Sequence, residues 1–212
     1  MIQNYLKLAL RNFSRNRLYV LLNVLGLGVG IALLVWGWQT YRFSFSWDNF
    51  QPDRKQIFRA VVSREGNSEW KGVCPLPVAQ MARRDFAGIT ETVRWDSRGC
   101  DIKGNESEPF SEQVHFTDPS FFSVFNFPLV AGNHDLSDRS AVLLTEKMAL
   151  KYFGKDNPVG KPLLLYAGEK RSLPLVVRGV LKDVPMNSSL QFDFLTNLEN
   201  LKTSDTTFLQ PD

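Results

Sequence analysis

The chain has 212 residues, with 25 Lys and Arg against 22 Asp and Glu, and its formal charge of +3 is unevenly spread. Residues 1–41 hold four cations and no acid, so they carry +4 and leave about −1 for the rest (+3 minus +4). A near-neutral remainder with scattered charges lacks the basic stripe that phosphate binding requires, which excludes a nucleic-acid partner.

In chain order, the first element is amphipathic. At 100° per residue, Ile2, Tyr5, Leu6, Ala9, Leu10 and Phe13 fall on one arc, and Asn4, Lys7, Arg11, Ser14 and Arg15 on the other. This pattern predicts a helix over 1–17 lying in a membrane interface, its basic face toward headgroups. Residues 18–38 then form an almost unbroken apolar run, uncharged and interrupted only by Asn23. A helix of roughly 21 residues spans about 30 Å, the thickness of a bilayer's hydrocarbon core, and predicts a transmembrane helix over 18–41. A cleaved signal peptide has a shorter apolar region and a small-x-small cleavage site, whereas this run ends in bulky Trp36, Trp38 and Tyr41. Lys7, Arg11, Arg15 and Arg17 precede the run and only Arg42 directly follows it. That asymmetry puts the N-terminus in the cytoplasm and the remainder outside. Gly26 and Gly30 form a G-x-x-x-G pair of the kind that lets a second helix approach closely in lipid.

Roughly 170 residues follow, enough for one domain with a real core, or two small lobes. Strands are expected over 56–63, 89–96, 113–117, 141–144, 161–166, 173–181 and 192–195, from their β-branched and aromatic content and flanking turn residues. Helices are expected over 77–86, after Asp118 as an N-cap, and from a Thr145 cap through Tyr152 to Gly154. Turns are expected at 66–68, 132–139 and 168–171. Helices and strands interleave without a regular βαβ rhythm, so the expected class is α+β. Cys74 and Cys100 both fall in the outer part, where an oxidising compartment permits a disulfide; two buried free thiols are the alternative.

Catalytic equipment is scarce. His115 with Asp118, and His134 with Asp135, are each half a metal site without further ligands at zinc spacing. No G-x-S-x-G elbow, Walker motif or nucleophile–base pair is present. The chain is therefore expected to be no enzyme and to carry no metal or cofactor.

From 116 to 197 the words become specific. They include Asp118-Pro119-Ser120-Phe121-Phe122, Phe127-Pro128-Leu129, Ala141-Val142-Leu143-Leu144-Thr145, and Tyr152-Phe153-Gly154. Asn157-Pro158-Val159-Gly160-Lys161, Gly179-Val180-Leu181-Lys182-Asp183-Val184-Pro185, Asn187-Ser188 and Phe192-Asp193-Phe194 follow in order. With Trp47-Asp48-Asn49-Phe50 after the apolar run, this succession resembles the MacB/FtsX-like family of ABC transporter permeases. The resemblance is weakest over 63–113, and Ser189 stands where the family pattern leads one to expect His. It implies a periplasmic core domain over 42–212 on a bacterial inner-membrane anchor, in a permease of the mechanotransmission type. A cytoplasmic ABC ATPase on a separate chain, a second permease subunit in a homo- or heterodimer, membrane lipid and a periplasmic adaptor are the implied partners. Cargo of that family spans peptides, antibiotics, lipids and lipoproteins. Such permeases carry further membrane helices, so this chain is expected to be the N-terminal portion of a longer one. The alternative from another class is a single-pass anchored module that senses or binds an extracytoplasmic ligand.

Overall fold

The computed structural model describes residues 11, 15–63, 70–104, 108–166 and 172–204. It divides after Trp47 into two compact units. The first is dominated by a single helix, α1 (Arg17–Ser44), whose 28 residues extend about 42 Å at 1.5 Å per residue. It runs three residues beyond the expected end at 41. Most of the expected interfacial helix, with Lys7, lies outside the described residues; Arg11 and Arg15 are helical and exposed.

From Asp48 onward the chain is one compact unit rather than two lobes. A small ribbon pairs β1 (Val62–Ser63) with β2 (Trp70–Lys71), and α2 (Pro77–Asp85) follows with proline in its first turn. The main sheet comprises β3 (Trp95–Lys103), β4 (Phe110–Thr117), β5 (Leu129–Gly132), β6 (Ala141–Thr145), β7 (Pro162–Tyr166), β8 (Ser172–Leu181) and β9 (Phe194–Asn197). Three short helices accompany it: α3 (Phe121–Val124), α4 (Glu146–Phe153) and α5 (Glu199–Ser204).

The strand order is β5-β8-β6-β9-β4-β3-β7, and β7 also pairs with β8. The second pairing closes β3, β4, β9, β6, β8 and β7 into a six-stranded barrel, with β5 beside β7 on the same edge of β8. The β4–β9 and β6–β8 pairs are parallel and the other pairs antiparallel. Side chains alternate across each strand, so closure gives every strand one inward face. Ile102 on β3 lies opposite Leu165 on β7, Val114 opposite Phe194, Val142 opposite Val177, and Leu163 opposite Leu175. These residues form one buried cluster, with Met148 of α4 and Leu198 and Leu201 at its margins.

The outer faces of β6, β8 and β9 carry a second core built on aromatic rings. Phe121 is its hub, fully buried and within 6.0 Å, centroid to centroid, of Trp95, Phe122, Phe125, Phe127 and Phe192. Ala141, Leu143, Leu181 and Leu195 back it from the sheet.

Several local expectations are corrected. Residues 57–61 pair with no strand; only Val62 and Ser63 do, and Phe58 is 86% exposed. Residues 89–94 stay irregular because side chains hold their backbone. Ser120 donates to the Thr92 carbonyl (3.1 Å), Thr117 to the Arg94 carbonyl (3.0 Å), and the Arg94 N–H donates to Asp118 (2.8 Å). Asp118 is thus occupied and makes no cap; Ser120 precedes α3. The last main strand begins two residues later than expected, at Phe194. The expected turns at 66–68 and 168–171 lie outside the described residues. Cys74 and Cys100 are free thiols: Cys100 belongs to the barrel core, while Cys74 Sγ donates to the Ala60 carbonyl at 3.4 Å.

Candidate functional site

The first candidate is the membrane helix itself. No residue of α1 is buried, although the helix is long and apolar enough to cross a membrane. Among its residues, Arg17 and Arg42 are the only charges. Gly26, Gly28 and Gly30 are open: a Cβ added at any of them meets nothing within 4 Å. Its C-terminal end is aromatic, with Trp38 stacked near Tyr41 (6.1 Å), Tyr41 against Phe45 (4.7 Å), and Phe43 edge-on to Trp47 (5.9 Å). Amphipathic rings of this kind favour the headgroup layer.

The second candidate is an open cleft of about 570 Å³ on the outer face of the barrel, reached by His115, Lys147, Asp183, Gln191, Phe192 and Asp193. The His115 ring lies tilted against Trp95, 4.8 Å between centroids, and its Nδ1 is buried without a hydrogen-bond partner among the described residues. Burial lowers its pKa below the ordinary histidine value, against the opposing pull of Asp193. It is therefore a neutral ring at pH 7. The two carboxylates do structural work. The Lys147 N–H donates to Asp183 at 2.9 Å, so Asp183 satisfies the first turn of α4 from 36 residues away. Thr145, the expected cap, makes no side-chain cap bond; its hydroxyl donates to Asp193 at 3.3 Å. Lys147 Nζ lies 3.8 Å from the same Asp193 carboxylate. Among the described residues no three His, Cys, Asp or Glu side chains are grouped to hold a metal. His134 is a strap rather than a ligand, with Nε2 3.1 Å from the Phe127 carbonyl and its ring stacked on Phe122. Burial raises the Cys100 thiol pKa, which leaves it protonated and unreactive.

The remaining motif residues are architectural. Asp118 receives a bidentate Arg94 guanidinium, half-buried beside the exposed Pro119. Phe127 is buried, and the Pro128 carbonyl accepts the Lys182 N–H at 2.9 Å. Tyr152 donates to Glu112 at 3.2 Å and meets Phe194 edge-on, and Lys161 Nζ sits over the Phe153 ring. Gly154 (φ 61°) and Gly160 (φ 85°) occupy the left-handed region that a side chain resists. Gly179 has a different reason: an added Cβ would collide with the Asn133 carbonyl and with Leu143. Pro158 and Pro185 open turns closed by the Lys161 and Ser188 N–H groups, each at 3.0 Å. Sequence reasoning missed Arg94, Gln51 and Thr196, whose polar groups are spent on partners far along the chain, and nothing in their local sequence singles them out.

The sequence profile of the MacB-like periplasmic core domain matches residues 18–210. The chain belongs to that family. Three solved structures are similar to this MacB-like chain. A domain of a candidate permease from Porphyromonas gingivalis is 27% identical, with a TM-score of 0.50, covering 57% of this chain and 52% of that one. The periplasmic region of MacB from Actinobacillus actinomycetemcomitans is 16% identical over 73% of this chain and 72% of that one, also at 0.50, and shares the fold. The extracellular domain of the noncanonic ABC-type transporter YknZ from Gram-positive bacteria is 25% identical, at 0.45, over 57% and 61%. The chain thus spans about half the length of the first of these. No curated protein matches it. The family is a component of ABC transporter permeases, and this member joins one apolar helix to a mixed α/β domain.

Proposed function

We propose that the chain is the N-terminal portion of a permease subunit in an ABC transporter of the mechanotransmission type. The observation that carries this reading is the match to the MacB-like periplasmic core domain, which begins inside the apolar helix and continues through the barrel. A separate cytoplasmic ATPase would supply the energy, and the membrane helix would carry motion to an outer domain that works on peptides, antibiotics, lipids or lipoproteins. Lys7, Arg11, Arg15 and Arg17 mark the cytoplasmic side of a bacterial inner membrane. Gly26 and Gly30 are the close-packing face toward a second membrane helix, of the same permease or a second subunit. A periplasmic adaptor is a further partner of this arrangement.

Affinity purification of the full-length gene product from membranes in mild detergent, with mass spectrometry of what accompanies it, tests this. Recovery of a stoichiometric cytoplasmic ABC ATPase is the expected result. An intact, folded bait recovered without any ATPase overturns it in favour of an anchored sensing or binding module.

A further inference from the structure

Four residues after the membrane helix ends at Ser44, a side chain fixes the path of the backbone. Asp48 has φ of 52°, the one positive φ outside glycine among the described residues. Its N–H donates to the Asn187 carbonyl at 2.9 Å. Its carboxylate accepts the Ser189 N–H at 2.9 Å and the Ser189 hydroxyl at 2.5 Å, across 141 residues of sequence. Its carbonyl accepts the Gln51 N–H at 3.0 Å, and Gln51 continues the grip. Gln51 is buried, accepts the Asn126 N–H at 2.8 Å, and donates to the Asn126 carbonyl at 3.4 Å. Between them the Phe50 ring packs 5.7 Å from Phe127.

The turn that Asp48 holds is itself braced. The Pro185 carbonyl accepts the Ser188 N–H and the Gln191 side chain, and the buried Ser188 hydroxyl donates to the Leu190 carbonyl. Directly after that turn the chain enters the aromatic core at Phe192, then reaches Asp193 beside α4. A left-handed aspartate persists only where its surroundings over-determine it, and six hydrogen bonds at Asp48 and Gln51 do so here.

We propose that Asp48 is the joint at which the membrane helix hands displacement to the outer domain, with the 185–191 turn as its first receiver. The inference rests on the mechanotransmission reading and adds a positioning residue to it. Displacement arriving along the chain meets Asp48 before any barrel strand, and the first structure it loads is the turn leading to Phe192. Asp48 acts by holding Ser189 and Asn187.

The test uses the full-length permease in lipid nanodiscs with its co-purified ATPase, comparing native protein with Asp48→Gly and Asp48→Asn. Glycine accepts the left-handed backbone and removes the carboxylate, so it breaks the clamp without strain. Asparagine tolerates the same backbone and keeps one acceptor oxygen, so it serves as the conservative rescue. Two readouts are taken. Hydrogen exchange at 187–190 is expected to rise at least about tenfold in Asp48→Gly while β6 and β8 keep their protection. A spin label on Leu150→Cys, an exposed residue of α4, reads the ATP-dependent shift in distance between the subunits' outer domains. Asp48→Gly is expected to keep ATP turnover and lose that shift, and Asp48→Asn to recover part of it. Unchanged exchange, or a shift that survives in Asp48→Gly, overturns the joint. A native protein with no ATP-dependent shift at all overturns the transporter reading instead, and the joint's role with it.

Discussion

α1 and β6 are both aliphatic runs, yet they end in opposite surroundings. All five residues of β6, Ala-Val-Leu-Leu-Thr, are buried, whereas none of the 28 residues of α1 is. The difference is one of length and partner. Five residues between a polar turn and the start of α4 are satisfied by ladders to β8 and β9, and their two faces feed two separate cores. A run long enough to close its own hydrogen bonds as a helix needs no protein neighbour, because lipid removes its side chains from water. The barrel therefore depends on the packing of particular residues, and the helix on a medium.

That contrast can be broken most severely at Phe121. Phe121→Ala deletes the hub of the aromatic layer and should cost the outer domain about 3–5 kcal/mol, read by chemical denaturation of the chain in detergent. A loss below about 1 kcal/mol would mean that the layer repacks like the lipid-facing helix. Asp183→Ala leaves the first turn of α4 without its remote acceptor, at about 1 kcal/mol by the same measurement, and Asp183→Asn should retain part of it.

His115 sharpens the contrast through pH. Its folded pKa lies below the unfolded value of about 6.5, so the unfolded chain binds the proton first. The stability contributed by the neutral ring is full above that value and is lost as pH falls through it toward the folded pKa. His115→Phe, which keeps a ring against Trp95 and Phe192, should flatten the stability slope as pH falls below about 6.5. An unaltered slope would assign it to carboxylates.

The smallest effect on the outer domain is expected from Gly26→Leu with Gly30→Leu. Its melting should not move, because an added Cβ at either position meets nothing within the chain. Cross-linking in mild detergent should instead show weakened association with a neighbouring membrane helix. Unchanged association would remove these glycines from the packing face.

How much of this was readable in advance differs by element. The 141–144 run reads as a strand and extends one residue further, since β-branched and aliphatic residues between a polar turn and a helix start leave few alternatives. The 77–86 helix was readable from Pro77 at its start, and ends one residue earlier, at Asp85. The 56–63 segment misled because β propensity without a partner strand does not make a strand. Thr145 and Asp118 misled as caps because both found stronger partners, Asp193 and Arg94, brought near only by the fold. The cleft at His115 had no sequence signal, since its walls come from β3, β4, α4 and the 183–193 segment.

By itself the sequence determined one apolar helix of membrane-spanning length, a mixed α/β domain after it, and membership of the MacB-like family. Each of these rests on local periodicity, composition or an ordered series of words, and so survives without knowing what touches what. Only the tertiary structure decided that β7 closes on β3, that Asp183 caps α4, that Cys74 and Cys100 remain apart, and that Asp48 grips Ser189. These are pairings between residues tens to more than a hundred positions apart, where many partners are chemically equivalent. The choice among them falls to the geometry of barrel closure and to the cost of leaving a buried polar group unpaired.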